Sequence, residues 1–401
     1  MFPLGASATT EELTADPHGL LARLRATEPV SWLPALNGWL VTRHDLAVAV
    51  MRDTAAFTVD DPRFSTAVVV GPSMLSRDHA EHARHRGPFA RHFRPAQVVD
   101  RFGEFVSAEA GSLVDRVRQA GRAEIRRELA GPLAVAVMMW GLGIEGTPVR
   151  SVLAWYDAIV AAVAGMSAGR RPDQAGAAAF DRLRATIEAA AIRTRPSLLT
   201  DVASTLALPE VVSNAAVLMF GGIETTEGMI ANAVAHLLGH PAQLALVRRD
   251  RSLLPAAIEE SLRLEPAAAT VDRYATRDVE LAGATIRRGD LVSVSLTAAN
   301  RDPEVFTDPD SFHVHRTNLR QQLAFAHGPH FCLGADLARL QARVAVETLL
   351  DRLPGLRLDG PAEPRGLVFR KPVGVYVSWS PAGRRVGSGE PPTTPRSGPA
   401  G

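Results

Sequence analysis

The only cysteine in the chain, Cys332, lies in the segment Phe325-Ala-His-Gly328-Pro-His330-Phe-Cys332-Leu-Gly334. A single thiol excludes an intrachain disulfide and any multi-thiolate zinc or iron–sulfur centre. The segment is rich in turn formers and feeds a helical pattern, which places Cys332 at the start of that helix. Backbone N–H groups at such a position favour the thiolate and lower its pKa. Gly328 and Gly334 let the backbone pass close to a flat group, and Phe325 supplies an apolar surface to pack against it. A thiolate held this way suits the axial position of a haem iron, a ligation that pushes electron density toward O–O cleavage. The alternative is a small buried hydrophobe without chemistry.

A second reactive pattern is Gly221-Gly222-Ile223-Glu224-Thr225-Thr226. Two glycines inside a helix cost roughly 1 kcal/mol each relative to alanine. They mark a weak point where the helix could bulge and admit a small molecule. An acid beside a hydroxyl there suits proton delivery to bound dioxygen. Elsewhere, Glu260 and Arg263 stand three apart on one helical face and can pair. His79, His82 and His85 crowd one stretch, but their spacing brings no three of them to one point, so no separate metal site is expected.

The elements that position these residues are mostly helical. Residues 20–26, 45–52 and 102–119 carry apolar side chains at three- and four-residue spacing. Residues 129–142 are more uniformly apolar, as in a buried helix. Pro209 opens a long apolar helix to about residue 238. Further helices are expected over 256–264 and 333–352. Strand signals are short: 39–41, 279–281, 291–296 and 375–379. The expected fold is mainly α, a large helical body with a small β-rich region, forming one domain over 1–380. The Pro/Gly/Ser-rich tail, 381–401, is expected to be disordered.

Composition narrows the function classes. The chain of 401 residues is 46% hydrophobic and 22% charged, an ordinary globular balance. Its formal net charge is +1, and Lys371 is the only lysine. The arginines are scattered among acids, which argues against a nucleic-acid partner. No uninterrupted apolar stretch reaches eighteen residues, and residues 1–10 lack a secretory layout, so a cytoplasmic protein without a membrane span is expected.

The cysteine segment resembles the haem-binding signature of the cytochromes P450, Phe-x-x-Gly-x-His/Arg-x-Cys-x-Gly. Ala326 departs mildly from the family, which usually has Gly there. Four further segments resemble the family in the expected order, so the resemblance covers nearly the whole chain apart from the tail. It implies haem b (iron protoporphyrin IX), with Cys332 as axial ligand. His82 with Arg86, and Arg273 with His330, are then the partners of the two haem propionates. Glu260 and Arg263, followed by Arg273 and Asn300-Arg301-Asp302-Pro303, hold the loop beneath the haem. Glu224 and Thr225 match the family's acid and alcohol of proton delivery. Gly221 replaces the usual Ala, widening the groove, and Ile223 replaces a frequent His, removing a polar group near the distal region.

Pocket-lining segments of the family map to residues 66–75, with Val69 and Val70, to the region of Met166, and to 217–225, with Val217 and Gly221. The others are 267–271, with Ala268 and Val271, and 371–373, with Val373. They are mostly small and apolar, implying a sizeable apolar substrate such as a terpenoid, macrolide or cyclic dipeptide. Lys371 faces either solvent or a substrate carboxylate or carbonyl. Hydroxylation, epoxidation and oxidative C–C or C–N coupling all remain open. The resemblance implies a monomer fed by a separate ferredoxin and its NAD(P)H-dependent reductase. The stretch 84–94 with Arg339 and Arg343 is a candidate basic docking face. A non-catalytic haem sensor is the alternative, and the acid–alcohol pair argues against it.

Overall fold

The computed structural model describes residues 2–144, 146–167, 174–192 and 197–380. The tail expected to be disordered, 381–401, lies outside the described residues.

The long helix Leu208–Gly239 is the axis of the helical body, with Pro209 in its first turn, where a missing N–H costs nothing. It is apolar on nearly every side because it is covered on nearly every side. Helix Gly131–Leu142 packs on one flank and Ala335–Arg352 on another, and Pro95–Val117 packs in turn against Ala335–Arg352. Their apolar stripes form one continuous core that includes Phe102, Leu133, Ile223 and Leu349. Among the described residues, no single helix is long and apolar enough to cross a membrane.

The β-rich region is a five-stranded sheet in the order Val30–Leu33, Gly38–Val41, Leu291–Ser295, Thr270–Ala275, Phe57–Thr58. The first two strands form an antiparallel hairpin, Gly38–Val41 runs parallel to Leu291–Ser295, and the remaining pairs are antiparallel. Strand Thr270–Ala275 was not apparent from the sequence, because Asp272 and Arg273 interrupt its apolar pattern. Its alternation separates Val271 and Arg273 from Thr270, Asp272 and Tyr274, which lie on the opposite face.

Two helix starts differ from expectation. Residues 126–130 form a π-helical turn, and the α-helix begins only at Gly131, next to Pro132. The helix after the cysteine begins at Ala335, so Cys332 lies in the loop ahead of it rather than in its first turn.

That loop is anchored by a fully buried ion pair. Arg263 donates to both carboxylate oxygens of Glu260, at 2.7 and 2.9 Å, and both side chains have no exposed surface. Its remaining N–H groups reach the carbonyls of Asn300, Pro309 and Ser311. Glu260 also accepts from Arg316 at 3.0 Å and from the backbone of His313. Asn300 then accepts from the Leu323 backbone at 2.6 Å, two residues before Phe325. Glu260→Ala leaves Arg263 buried without its counter-charge, and is expected to cost about 3–5 kcal/mol of stability. Denaturant unfolding of purified holoprotein measures this; a loss below about 1 kcal/mol, the worth of an exposed pair, contradicts it.

Candidate active site

The cysteine loop and the long helix enclose a cavity holding about 1220 Å³ of space, its mouth included. Val217, Gly221 and Thr225 line it from the helix, and Phe325, Cys332 and Gly334 from the loop. Ala268 and Val271 close one side.

The loop is shaped by its own backbone. The Cys332 N–H donates to the Phe325 carbonyl at 2.9 Å, folding the segment back on itself. Gly328 has φ +77°, and a side chain there would meet the Met51 carbonyl at 2.7 Å. Glycine here permits a tight approach to the neighbouring helix His44–Arg52, a constraint the sequence did not reveal. Ala326 takes φ +58°, a left-handed conformation that glycine adopts without strain. Phe325 lies under the Arg339 guanidinium at 4.5 Å, and Arg339 is fixed by Glu259 at 2.6 Å.

Burial pushes the Cys332 thiol up, outweighing the downward pull of the Gly334 N–H and of Arg86 and Arg339. The expected lowering at the helix start survives only as the pull of the Gly334 N–H at the helix N-cap, and burial outweighs it. Only a cation at the sulfur itself would overturn the desolvation, since a metal-coordinating thiol loses its proton outright.

A set of buried basic side chains with too few partners accompanies the loop. Arg273 is 3% exposed; its Nη1 donates to the Asp272 carbonyl, while Nε and Nη2 meet no acceptor. His82 Nε2 is likewise buried and unpaired. Burial, with His330 and Arg86 nearby, pushes His82 down to about 4. Arg86 borders the cavity and donates to the Phe331 carbonyl at 2.7 Å. His330 also borders the cavity, but its Nε2 pairs with Asp78 at 2.7 Å. Burial alone would raise Asp78, yet hydrogen bonds from His330, Thr58 and the Val59 backbone hold it well below the usual carboxylate range. Sequence reasoning missed Asp78, which meets His330 from 252 positions away.

Buried donors left unsatisfied cost about 1–3 kcal/mol each, more when charged. The donor set therefore fits a ligand that brings its own carboxylates, and a thiol facing an apolar slot fits its metal. Haem b, with two propionates and an iron, matches this chemistry: Cys332 would hold the iron, and Arg273, His82 and Arg86 the carboxylates.

The long helix runs unbroken through its glycines, so the expected bulge does not form. A side chain at Gly222 would strike Met138 sulfur at 2.7 Å, whereas one at Gly221 would meet nothing within 4 Å. Gly222 thus serves packing, and Gly221 leaves room in the cavity. Thr225 donates to the Gly221 carbonyl at 2.5 Å. Glu224 points elsewhere, because adjacent helical residues diverge by about 100°. It is 5% exposed, bonded to the Tyr156 hydroxyl at 2.5 Å and to Lys371 at 2.7 Å. Neither solvent nor cavity claims Lys371, contrary to both expectations. Ile223 is fully buried in the core, so the missing histidine leaves the cavity unchanged.

Of the expected pocket residues, Val217, Gly221, Ala268 and Val271 line the cavity. Val70 packs in the core, Val69 is half-buried beside it, and Val373 is 78% exposed; Met74 and Leu75 reach the cavity from their segment instead. The Met166 side chain lies outside the described residues. Phe93, Met138 and Met229 also line the cavity and carried no motif that would have marked them. The arginines proposed as a docking face are largely compensated: Arg84 by Glu81 and Glu210, Arg339 by Glu259, and Arg343 by Glu347.

Comparison with known proteins converges on one family. The family model "Cytochrome P450" matches residues 193–354. The cytochrome P450 monooxygenase PikC of Streptomyces venezuelae is 34% identical, the match covering 96% of this chain and 97% of PikC. The nocardicin C N-oxygenase of Nocardia uniformis subsp. tsuyamanensis is 35% identical, with 94% and 98% covered. Among solved structures, the P450 enzyme CxnD, described for C–S bond formation in chuangxinmycin biosynthesis, superposes with a TM-score of 0.85 at 28% identity, covering 94% of this chain and 99% of CxnD. The chain belongs to the cytochrome P450 family. It is a haem-thiolate monooxygenase that uses haem b.

Arg273→Ala removes a buried guanidinium whose Nε and Nη2 are unpaired, and is expected to weaken haem retention by about 1.5–3 kcal/mol. Haem transfer to an acceptor protein reads this out; an unchanged transfer rate assigns the propionate contact to other residues.

Proposed function

We propose that this P450 oxidises a largely apolar small molecule in the tailoring of a secondary metabolite, within the cytoplasm, with electrons from a separate ferredoxin and its NAD(P)H-dependent reductase. The observation that carries the reading is the cavity itself: a hydroxyl, Thr225, set in an apolar wall that also contains Cys332. The bound haem supplies oxygen activation. The chain supplies the rest: Cys332 as the iron's ligand, the arginine and histidine donors that seat the carboxylates, and Thr225 to hold a proton at its Oγ. The apolar wall excludes water, which would otherwise compete for that proton.

Related enzymes favour no single reaction. A hydroxylase/epoxidase of mycinamicin IV from Micromonospora griseorubida is 34% identical, and the N-oxygenase and CxnD act differently again. Substrate shape above Gly221 and beside Ala268 and Val271 is what would choose among them. The pairing of Arg84, Arg339 and Arg343 with acids supports a ferredoxin contact resting on shape and on the exposed Phe331 more than on a broad positive field.

Cys332→Ser is expected to abolish the red-shifted band of the reduced, CO-bound protein that only thiolate ligation produces. A variant that keeps the band refutes the assignment. Thr225→Ala is expected to retain haem, substrate binding and NADPH consumption while diverting electrons to hydrogen peroxide. The ratio of peroxide to product measures this, and a fully coupled variant removes Thr225 from proton handling. Labelled dioxygen then separates oxygen insertion, which incorporates label, from coupling, which does not require it.

A further inference from the structure

The turn between Gly71 and Ser76 supplies Met74 and Leu75 to the cavity wall, although it belongs to neither helix nor strand. Its internal bonds are short-range: the Ser73 N–H donates to Ser76 Oγ at 3.1 Å and the Leu75 N–H to Ser73 Oγ at 3.3 Å. It is fixed to the long helix at Ser213 and Asn214. Gly71, at φ +87°, lies so close that a side chain there would meet Ser213 Oγ at 2.7 Å. The Met74 N–H donates to Asn214 Oδ1 at 2.8 Å. Asn214 is fully buried, and it precedes Gly221 and Thr225 by two and three turns, on the helix face that borders the cavity.

His85 stands behind Asn214 and is itself buried. The amide nitrogen of Asn214 donates to the Glu210 carbonyl at 2.7 Å and meets His85 Nδ1 at 2.8 Å. A backbone N–H can only donate and a carbonyl can only accept, so Met74 and Glu210 together fix which way the amide points. His85 Nδ1 must then accept, which places the ring proton on Nε2. Around Nε2 stand the Glu210 and Glu81 carboxylates, at 3.6 and 4.0 Å, and the Arg84 guanidinium at 3.1 Å. His82 lies one turn back on the same helix, His79–Ala90. The helix Leu198–Val202, packed against that helix, turns Asp201 to Arg91 and His92 instead. Burial and then Arg84 hold His85 below the ordinary histidine value. Protonation of Nδ1 would set N–H against N–H, turn the amide, and leave the Met74 N–H without its acceptor.

We infer that Asn214, backed by His85, is the positioning residue that sets the cavity wall at Met74 and Leu75, and so selects substrates by their bulk on that side. Wall residues such as Val217 and Gly221 are carried by a regular helix and need no such support. The turn has no ladder of backbone bonds, so the Asn214 amide decides whether Met74 presses on the cavity or withdraws. A neutral His85 keeps that amide in register, and the wall slackens in acid. The inference rests on the monooxygenase reading above, and a buried polar pair that only stabilises the fold is the alternative.

The test compares N-methyl-triazole with N-octyl-triazole as ligands of the holoprotein, since both stay neutral across the pH range and only the second fills the cavity. In Asn214→Leu the affinity advantage of the octyl compound over the methyl compound is expected to fall about tenfold, the order expected when a buried N–H loses its acceptor. His85→Leu is expected to do the same. His85→Asn, whose amide oxygen stands where Nδ1 stood, is expected to restore the advantage. In the native protein the advantage falls as pH drops below the ordinary histidine range, because His85 then takes up a proton; in His85→Asn it stays level. An unchanged advantage in Asn214→Leu, even with a lowered melting temperature, overturns the inference and leaves a structural pair. A pH step shared by the native protein and His85→Asn overturns it equally. If Asn214→Leu does not fold, the two pH profiles decide alone. The thiolate-type CO band is recorded on every variant. Its presence with an unchanged advantage refutes only the role of Asn214 and His85, and its absence from the native protein refutes the monooxygenase reading.

Discussion

The Arg263–Glu260 pair is the joint on which the cysteine loop depends. Both side chains are fully buried, and the guanidinium spends its remaining donors on three carbonyls of the segment 300–311. A buried ion pair adds little net stability compared with an apolar core, but breaking it is expensive. Its value here is geometric. An irregular segment without helix or sheet bonds needs its backbone acceptors met by something rigid, and Arg263 meets several at once. From there Asn300 passes the register to Leu323, and the loop turns through Phe325 to Cys332.

Haem propionates would complete an electrostatic arrangement that the polypeptide leaves open. Arg273 is desolvated with two nitrogens unpaired, and His82 adds a third buried nitrogen without a partner. Asp78 bonds directly to His330 and favours the charge of Arg273 without touching it. Burying the Arg273 guanidinium without a counter-charge is costly, and a cofactor that brings carboxylates would offset that cost.

The long helix separates two kinds of chemistry by rotation alone. Thr225 borders the apolar cavity, and Glu224, the next residue, enters a charged cluster on the other side. Glu224 is thereby kept apart from the hydroxyl it neighbours in sequence. Gly221, Gly222 and Gly228 each serve a different neighbour: open space, Met138, and the Ala267–Lys371 contact. Adjacent glycines that look alike in sequence are distinguished only by what packs against them.

The sequence by itself determined the family, the cofactor and the main helices. The signature around Cys332 needs only local spacing, and the periodicity of apolar residues marks helices such as Leu208–Gly239. It also placed Glu260 and Arg263 together, because three positions on a helix are always neighbours. What it left open were contacts between distant segments. Asp78 and His330, Lys371 and Glu224, and Arg316 and Glu260 come together only when the chain folds. Strand Thr270–Ala275 was hidden because Asp272 and Arg273 interrupt its apolar pattern, and Asp272 meets its partner Ser293 only across the sheet. The direction of Glu224 was decided by tertiary structure for the same reason: periodicity states that two adjacent side chains diverge, and only the packing of Tyr156, Gly228 and the Lys371 strand states which one meets the cavity.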